Sequence, residues 1–238
     1  MQNKDIVKEN GVIEEMFKVG AHYGYSKTRR HPSMSPFILA TKNKGDIINL
    51  EKTNLMLETA KEFVKNLSAK NKTIVFVGTK PEAKNAIKEI AETLSMPYVI
   101  ERWIGGTLSN FSEIKKRINE LENYRLESKQ GGLDKYTKKE RSVMAKKMEK
   151  LSKYYGGLIS LKKAPEALFI IDAKAEHIAA TEARKMGVKV ITLINSDTNI
   201  KNIEYPIVAN DASIPSIKFF ANQISLAYKT GILSVETK

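Results

Sequence analysis

The chain contains no cysteine, so disulfides, thiolate metal sites and zinc ribbons are excluded. Histidine is scarce, and His22, His31 and His177 do not stand at metal-ligand spacing from one another. No apolar run approaches the roughly 20 residues that cross a bilayer. The opening Met1-Gln2-Asn3-Lys4-Asp5 reaches Glu9, Glu14 and Glu15 without an apolar stretch, which argues against a signal peptide. The expectation is a soluble, intracellular protein. Acidic residues are also short: 27 Asp and Glu face 40 Lys and Arg, for a net charge of +13. That balance favours a polyanionic partner, nucleic acid ahead of an anionic membrane. With 42% of its 238 residues hydrophobic, the chain can bury one sizeable core and still carry an appendage.

What is present alternates between strands and helices. Val12, Ile13, Met16 and Phe17 suggest a short amphipathic turn or helix. Phe37–Ala40 and Asp46–Leu50 look like strands joined by a turn over Lys42–Gly45. A helix follows with Leu55, Ala60, Phe63, Val64 and Leu67 inward. Thr73–Val77 is an apolar strand, and Pro81–Leu94 a helix with Ala83, Ala86, Ile87, Ile90, Ala91 and Leu94 on one face. Pro97–Ile100, Ala167–Ile171, Val188–Ile194 and Pro206–Ala209 are further strands. A helix over Ala173–Met186 stops at Gly187, and the closing helix buries Ile217, Phe220, Ala221 and Ile224. Near-continuous apolar strands between amphipathic helices predict an α/β body, a parallel sheet with helices on both faces.

Between Gly105-Gly106 and Gly156-Gly157 the pattern changes. Phe111, Ile114, Ile118 and Leu121 step by 3, 4 and 3; Met144, Met148, Leu151, Tyr155 and Leu158 step by 4, 3, 4 and 3. That is the seam of two helices wrapped on each other. Lys129–Lys135 supplies turn chemistry, and Thr137-Lys138-Lys139-Glu140 spells a capping box. The prediction is an antiparallel coiled-coil hairpin over 107–156, inserted into a body of 1–106 and 157–238, with the glycines supplying unusual backbone angles at its base. From Glu113 to Lys153 there are 13 Lys and Arg against 7 Asp and Glu. Such charge can simply solvate a helix. On a projecting arm too narrow to enclose a small molecule, it also suits a phosphate backbone.

Signs of chemistry are weak. Val77-Gly78-Thr79-Lys80-Pro81-Glu82 lacks both dinucleotide and P-loop patterns, and Thr79 to Glu82 reads as a capping box. Asp172 reads as a helix cap and Glu176 as a complement to the helix dipole; Asp211 and Ser213 read likewise. Trp103 reads as core. Ala21–Pro32 is a loop-like, basic and aromatic stretch in which Lys27, Arg29 and Arg30 suit phosphates and the tyrosines suit packing. A nucleotide-binding enzyme and a membrane-surface protein are the competing classes. The hairpin lacks the broad apolar face of an interfacial helix.

Arg102-Trp103-Ile104-Gly105-Gly106-Thr107-Leu108-Ser109-Asn110-Phe111 resembles the signature of the bacterial small-subunit ribosomal protein two family. Supporting matches are Gly20–Gly24, Asp46–Leu50, Phe76–Lys80, Thr137–Glu140, Leu168–Asp172 and Asn210-Asp211, over about Met16 to Ile217. The resemblance implies a flavodoxin-like body and a non-enzymatic role without cofactors. It implies binding of small-subunit ribosomal RNA between head and body, beside neighbouring ribosomal proteins and the mRNA-binding ribosomal protein one where a cell has it. RNA contacts are expected at Lys27, Arg29, Arg30, Arg102, Lys115, Lys116, Arg117, Lys138, Lys139, Arg141, Lys146 and Lys147. In some relatives a histidine after the glycine matching Gly24, an aspartate at position 195 and the counterpart of Asp211 hold a metal. Here Tyr25 and Asn195 replace two of them, so no metal is expected.

Overall fold

The computed structural model describes residues 11–133 and 135–236. The opening residues that argue against a signal peptide, and Asp134 of the turn, lie outside the described residues. Eight strands and seven helices account for most of what is described. Helix α1 spans residues 11–18. Strands β1 (Tyr23–Ser26), β2 (Ile38–Lys42) and β3 (Gly45–Ile48) form an antiparallel sheet in the order β1-β3-β2. The turn between β2 and β3 places Asn43 and Lys44 at φ +50° and +65°, the left-handed pair of a tight hairpin.

The second sheet is wholly parallel. It contains β4 (Ile74–Val77), β5 (Tyr98–Val99), β6 (Ala167–Ile171), β7 (Lys189–Ile194) and β8 (Tyr205–Val208), ordered β5-β4-β6-β7-β8. Numbered within this sheet the order is 2-1-3-4-5, that of flavodoxin-like doubly wound folds. Alternate residues serve opposite cores. Ile74, Phe76, Phe169, Ile191 and Leu193 face α1, α2 (Leu50–Ala69), α3 (Pro81–Thr93) and α7 (Ile214–Glu236). Val75, Val77, Leu168, Ile170 and Val190 face α6 (His177–Lys185) and the start of α4 (Phe111–Lys129). Helix α6 ends as its sequence predicts: Gly187 has φ +70°, and Val188 N–H reaches back to the Ala183 carbonyl.

Helix α4 pairs with α5 (Lys138–Tyr155), and Arg125 donates to the Ser152 hydroxyl across the pair at 2.9 Å. Ile114, Ile118, Leu121 and Met148 are buried, the first two in a core shared with the parallel sheet. The capping box at Thr137 and Glu140 is complete. Of the four glycines at the base, only Gly106 has a positive φ, +93°. Gly157 is required for another reason: a Cβ there would sit 2.3 Å from the Tyr98 carbonyl oxygen.

Several sequence expectations are corrected. Tyr23–Ser26 is a strand rather than loop, paired to β3 through Tyr23↔Ile47 and Ser26↔Gly45. Leu55 points outward and is 66% exposed, while Leu57 takes the core position. Thr79 does not cap α3; Lys80 is its N-cap residue and makes no side-chain cap bond, and the Thr79 hydroxyl donates to Glu176 instead. Asp211 does not cap α7. It is fully buried and accepts hydrogen bonds from Lys80 and Asn195.

Candidate nucleic-acid interface

In doubly wound folds the crevice at the carboxyl ends of the strands, where strand order reverses, is the usual ligand site. Here it lies beyond β4 and β6, and the chain's own charges fill it. Lys80 Nζ lies 2.5 Å from Asp172 Oδ2 and 3.0 Å from Asp211 Oδ2. Burial would lower the lysine's pKa, but the two carboxylates outweigh it and hold the ammonium charged. Burial pushes the Asp211 carboxyl up, with Lys80 opposing. Asp172, at φ +64°, accepts the N–H groups of Lys174 and Ala175 and so caps the turn leading to α6 rather than the helix itself. Glu176 is buried, which raises its pKa, and it receives Thr79. The small sheet covers this end, since Tyr25 N–H donates to Asn195 Oδ1 at 3.2 Å and to Ser196 Oγ at 3.0 Å.

The residues at this place do not fit a metal ion. The Asn195 amide is engaged with Tyr25 N–H, Ser196 N–H and Asp211, and an ammonium already lies against Asp211. Burial, followed by the nearby Asp211 charge, pushes the Tyr25 phenol's pKa up and away from a ligating phenolate. Among the described residues no group of three or more His, Cys, Asp or Glu could hold a metal.

The cationic surface is elsewhere. Helix α5 carries seven Lys and Arg against two Glu, whereas α4 carries five against four. The arm's positive excess therefore belongs to α5. Lys139, Lys146, Lys150 and Lys153 recur at helical spacing on the side turned from the Met144–Met148–Leu151–Tyr155 seam, and all four are exposed. At about 1.5 Å per residue this stripe is about 21 Å long. Lys150 and Lys153 belong to it although the expected contact set omits them; applying the seam's own 3–4 spacing to the opposite face finds them.

The expected residues divide by what they already hold. Lys115, Lys138, Lys139 and Lys146 are exposed and make no ion pair among the described residues; Arg141 is exposed as well. Lys116 pairs with Glu113, Arg117 with Glu120, and Lys147 with Glu120 across the two helices. Such exposed pairs are weak and screened by salt. Arg102 is exposed at the hairpin root. Near β1, Lys27 and Arg29 are exposed, and the Arg29 guanidinium lies 5.6 Å from the Tyr25 ring centre. Arg30 is engaged inward: Nε donates to buried Asp46 at 2.7 Å, and the terminal nitrogen to Thr41. Its hydrogen bonds pull the Asp46 carboxyl below its usual range.

Buried Glu182 of α6 fixes the root. One carboxylate oxygen accepts from Leu108 N–H, Ser109 N–H and the Ser109 hydroxyl at 2.8–2.9 Å; the other accepts Trp103 Nε1–H at 2.9 Å. Although burial alone would raise its pKa, these donors together hold it below the usual range. Sequence reasoning places Trp103 in the core but gives no sign of its partner 79 residues away.

The family model described as ribosomal protein S2 matches residues 16–231. Among similar curated proteins, the small ribosomal subunit protein uS2 of a Nitratiruptor species is 40% identical over 92% of this chain and 82% of its own length. That of Helicobacter hepaticus is 39% identical over 92% and 83%. That of Psychromonas ingrahamii is 37% identical over 93% and 91%. With the match running through both the parallel sheet and the helical arm, the chain belongs to the ribosomal protein S2 family.

Proposed function

We propose that this chain is a structural constituent of the small ribosomal subunit in the cytoplasm, gripping small-subunit ribosomal RNA and bridging head and body during translation. The relatives' name, small ribosomal subunit protein, supports the assembly. The observation that carries the RNA contact is the outward lysine stripe of α5, with seven cations to two acids on that helix.

In this reading residues 107–156 act as a coiled-coil outrigger on a body formed by 1–106 and 157–238. Lys138, Lys139, Arg141, Lys146 and Lys147 meet phosphates along one RNA helix, and Lys115, Lys116 and Arg117 follow from α4. Lys27, Arg29 and Arg102 contact RNA nearer the body, where Arg30, held by Asp46, positions the β1 segment. Recognition rests on RNA shape and backbone. Neighbouring small-subunit proteins, the mRNA-binding ribosomal protein one among them, are the expected protein partners.

The test is charge reversal of Lys138, Lys139 and Arg141 together, scored by occupancy in purified small subunits against wild-type chain. If contacts at these positions contribute, occupancy falls and RNA affinity loses much of its salt dependence, which scales with the phosphates neutralised. Unchanged occupancy with an unchanged salt slope refutes the hairpin's role.

A further inference from the structure

Parallel neighbours are normally joined by a crossover of a dozen or more residues, usually containing a helix. The connection from β7 to β8 covers only 195–204 and contains a single 3-10 turn, Ile200–Asn202. A groove of about 250 Å³ lies between this connection and α6. Lys174, His177 and Arg184 line it from the α6 side, and Thr198, Asn199 and Asn202 from the other. Among the described residues no carboxylate lines it. Asp197 lies just outside and pairs with Lys174 at 2.7 Å, but Arg184 has no ion-pair partner among the described residues. The Thr198 hydroxyl is buried and has no hydrogen-bond partner among the described residues.

A buried hydroxyl without a partner is unfavourable, because it has given up water and gained nothing in return. Here it belongs to a residue lining a recess that also carries a guanidinium, an ammonium, an imidazole and two amides. Those are the donors a phosphate oxygen requires. We infer that the groove between α6 and the β7–β8 connection binds a backbone phosphate of RNA, with Arg184 supplying charge and Thr198 a hydrogen bond. Its position extends the contact proposed above, on which the inference rests. His177 and Thr181 also line the adjoining recess that Gly105, Gly106 and Ser109 share at the hairpin root. The same face of α6 thus leads from the arm to the groove.

Thr198→Val and Arg184→Gln test this in the full chain, by filter binding to deproteinised small-subunit ribosomal RNA over a salt series. Lys218→Gln on α7, which packs on the opposite face of the sheet, is the control. Thr198→Val removes an unpaired hydroxyl at constant shape, so thermal stability stays level or rises while RNA affinity drops about 3- to 10-fold. Arg184→Gln weakens binding and lowers the salt slope by about one. Wild-type affinity in both variants, or an equal loss in Lys218→Gln, overturns the groove assignment and leaves the hairpin reading intact. Failure of wild-type chain to bind the RNA removes both. If millimolar inorganic phosphate stabilises wild type but not Thr198→Val, while both bind RNA equally, the groove belongs to a free anion and the inference is wrong.

Discussion

Replacing Lys80 with methionine removes the cation between two carboxylates and keeps most of the side chain's volume. Asp211 is wholly buried, Asp172 is 12% exposed at its side chain, and Lys80 itself is 20% exposed. Breaking a buried ion pair on one side costs about 3–5 kcal/mol because the remaining charge stays desolvated. The partial exposure of Lys80 favours the lower end, about 3 kcal/mol. For a chain of this size that corresponds to about 6–12 °C in Tm. The deficit also carries a pH signature. Burial already raises the Asp211 carboxyl above its unfolded value, and without Lys80 nothing comparable opposes it. A group whose folded pKa is raised binds protons more readily in the folded state, so its contribution is favourable at low pH and is lost as pH rises through the folded pKa. Lys80 is charged throughout pH 5–7, since its own pKa is raised from an already basic value, and it adds no slope there. Lys80→Met is therefore least impaired near pH 5 and most impaired near pH 7. Thermal unfolding by circular dichroism at both pH values reads this directly. Lys84→Met is the comparison, because the pair of Lys84 with Glu101 is about one-third exposed on each side and worth under about 1 kcal/mol. A deficit no larger than that of Lys84→Met, or one that does not shrink at pH 5, refutes the account of the strand-end network.

Two further outcomes concern the arm. Glu182→Ala strips an acceptor from four donors at the hairpin root and costs on the order of 3 kcal/mol. Hydrogen exchange at Leu108 and Ser109 speeds up more than in β6, and equal protection there counts against the clamp. Leu121→Ala in the seam, where Leu121 is 1% exposed, costs about 2–5 kcal/mol in chemical denaturation. A loss under about 1 kcal/mol means that α4 and α5 do not close on each other in solution.

Local periodicity carries the fold a long way. The fully buried β6, the inward face of α3 and the helical spans of α4 and α5 can be read from spacing alone, because each depends on neighbours within a few residues. What escapes is non-local. Tyr23–Ser26 becomes a strand only because β3 offers it an edge. Thr79 has the spelling of a cap, yet Glu176, 97 residues later, takes its hydroxyl. Lys80 looks like one more surface cation until Asp172 and Asp211 arrive from two other strand ends. On the cationic surface, charge density finds the arm; only the division into helices shows that α5 carries the excess. The inward turn of Arg30 depends on Asp46 and has no signature in its own neighbourhood.

The position of the arm follows from the sheet's connectivity. β5 is an edge strand, and its passage to β6, across β4, is the crossover that a doubly wound fold fills with a helix. The beginning of α4 fills that role: Ile114 and Ile118 share a core with Val75, Val77, Val99 and Leu168. The remainder of α4 runs on beyond these core residues and packs against α5, with Arg125 bonded to Ser152 across the pair. Its direction is then set where it leaves the sheet, by Gly106 at φ +93°, the close approach of Gly157 to Tyr98 and the buried carboxylate of Glu182. The switch-point crevice meanwhile is held shut by Lys80 and its two aspartates. A fold that elsewhere presents a ligand at its strand ends has here made those ends structural, and among the described residues its long β5–β6 connection carries the exposed lysines of α5.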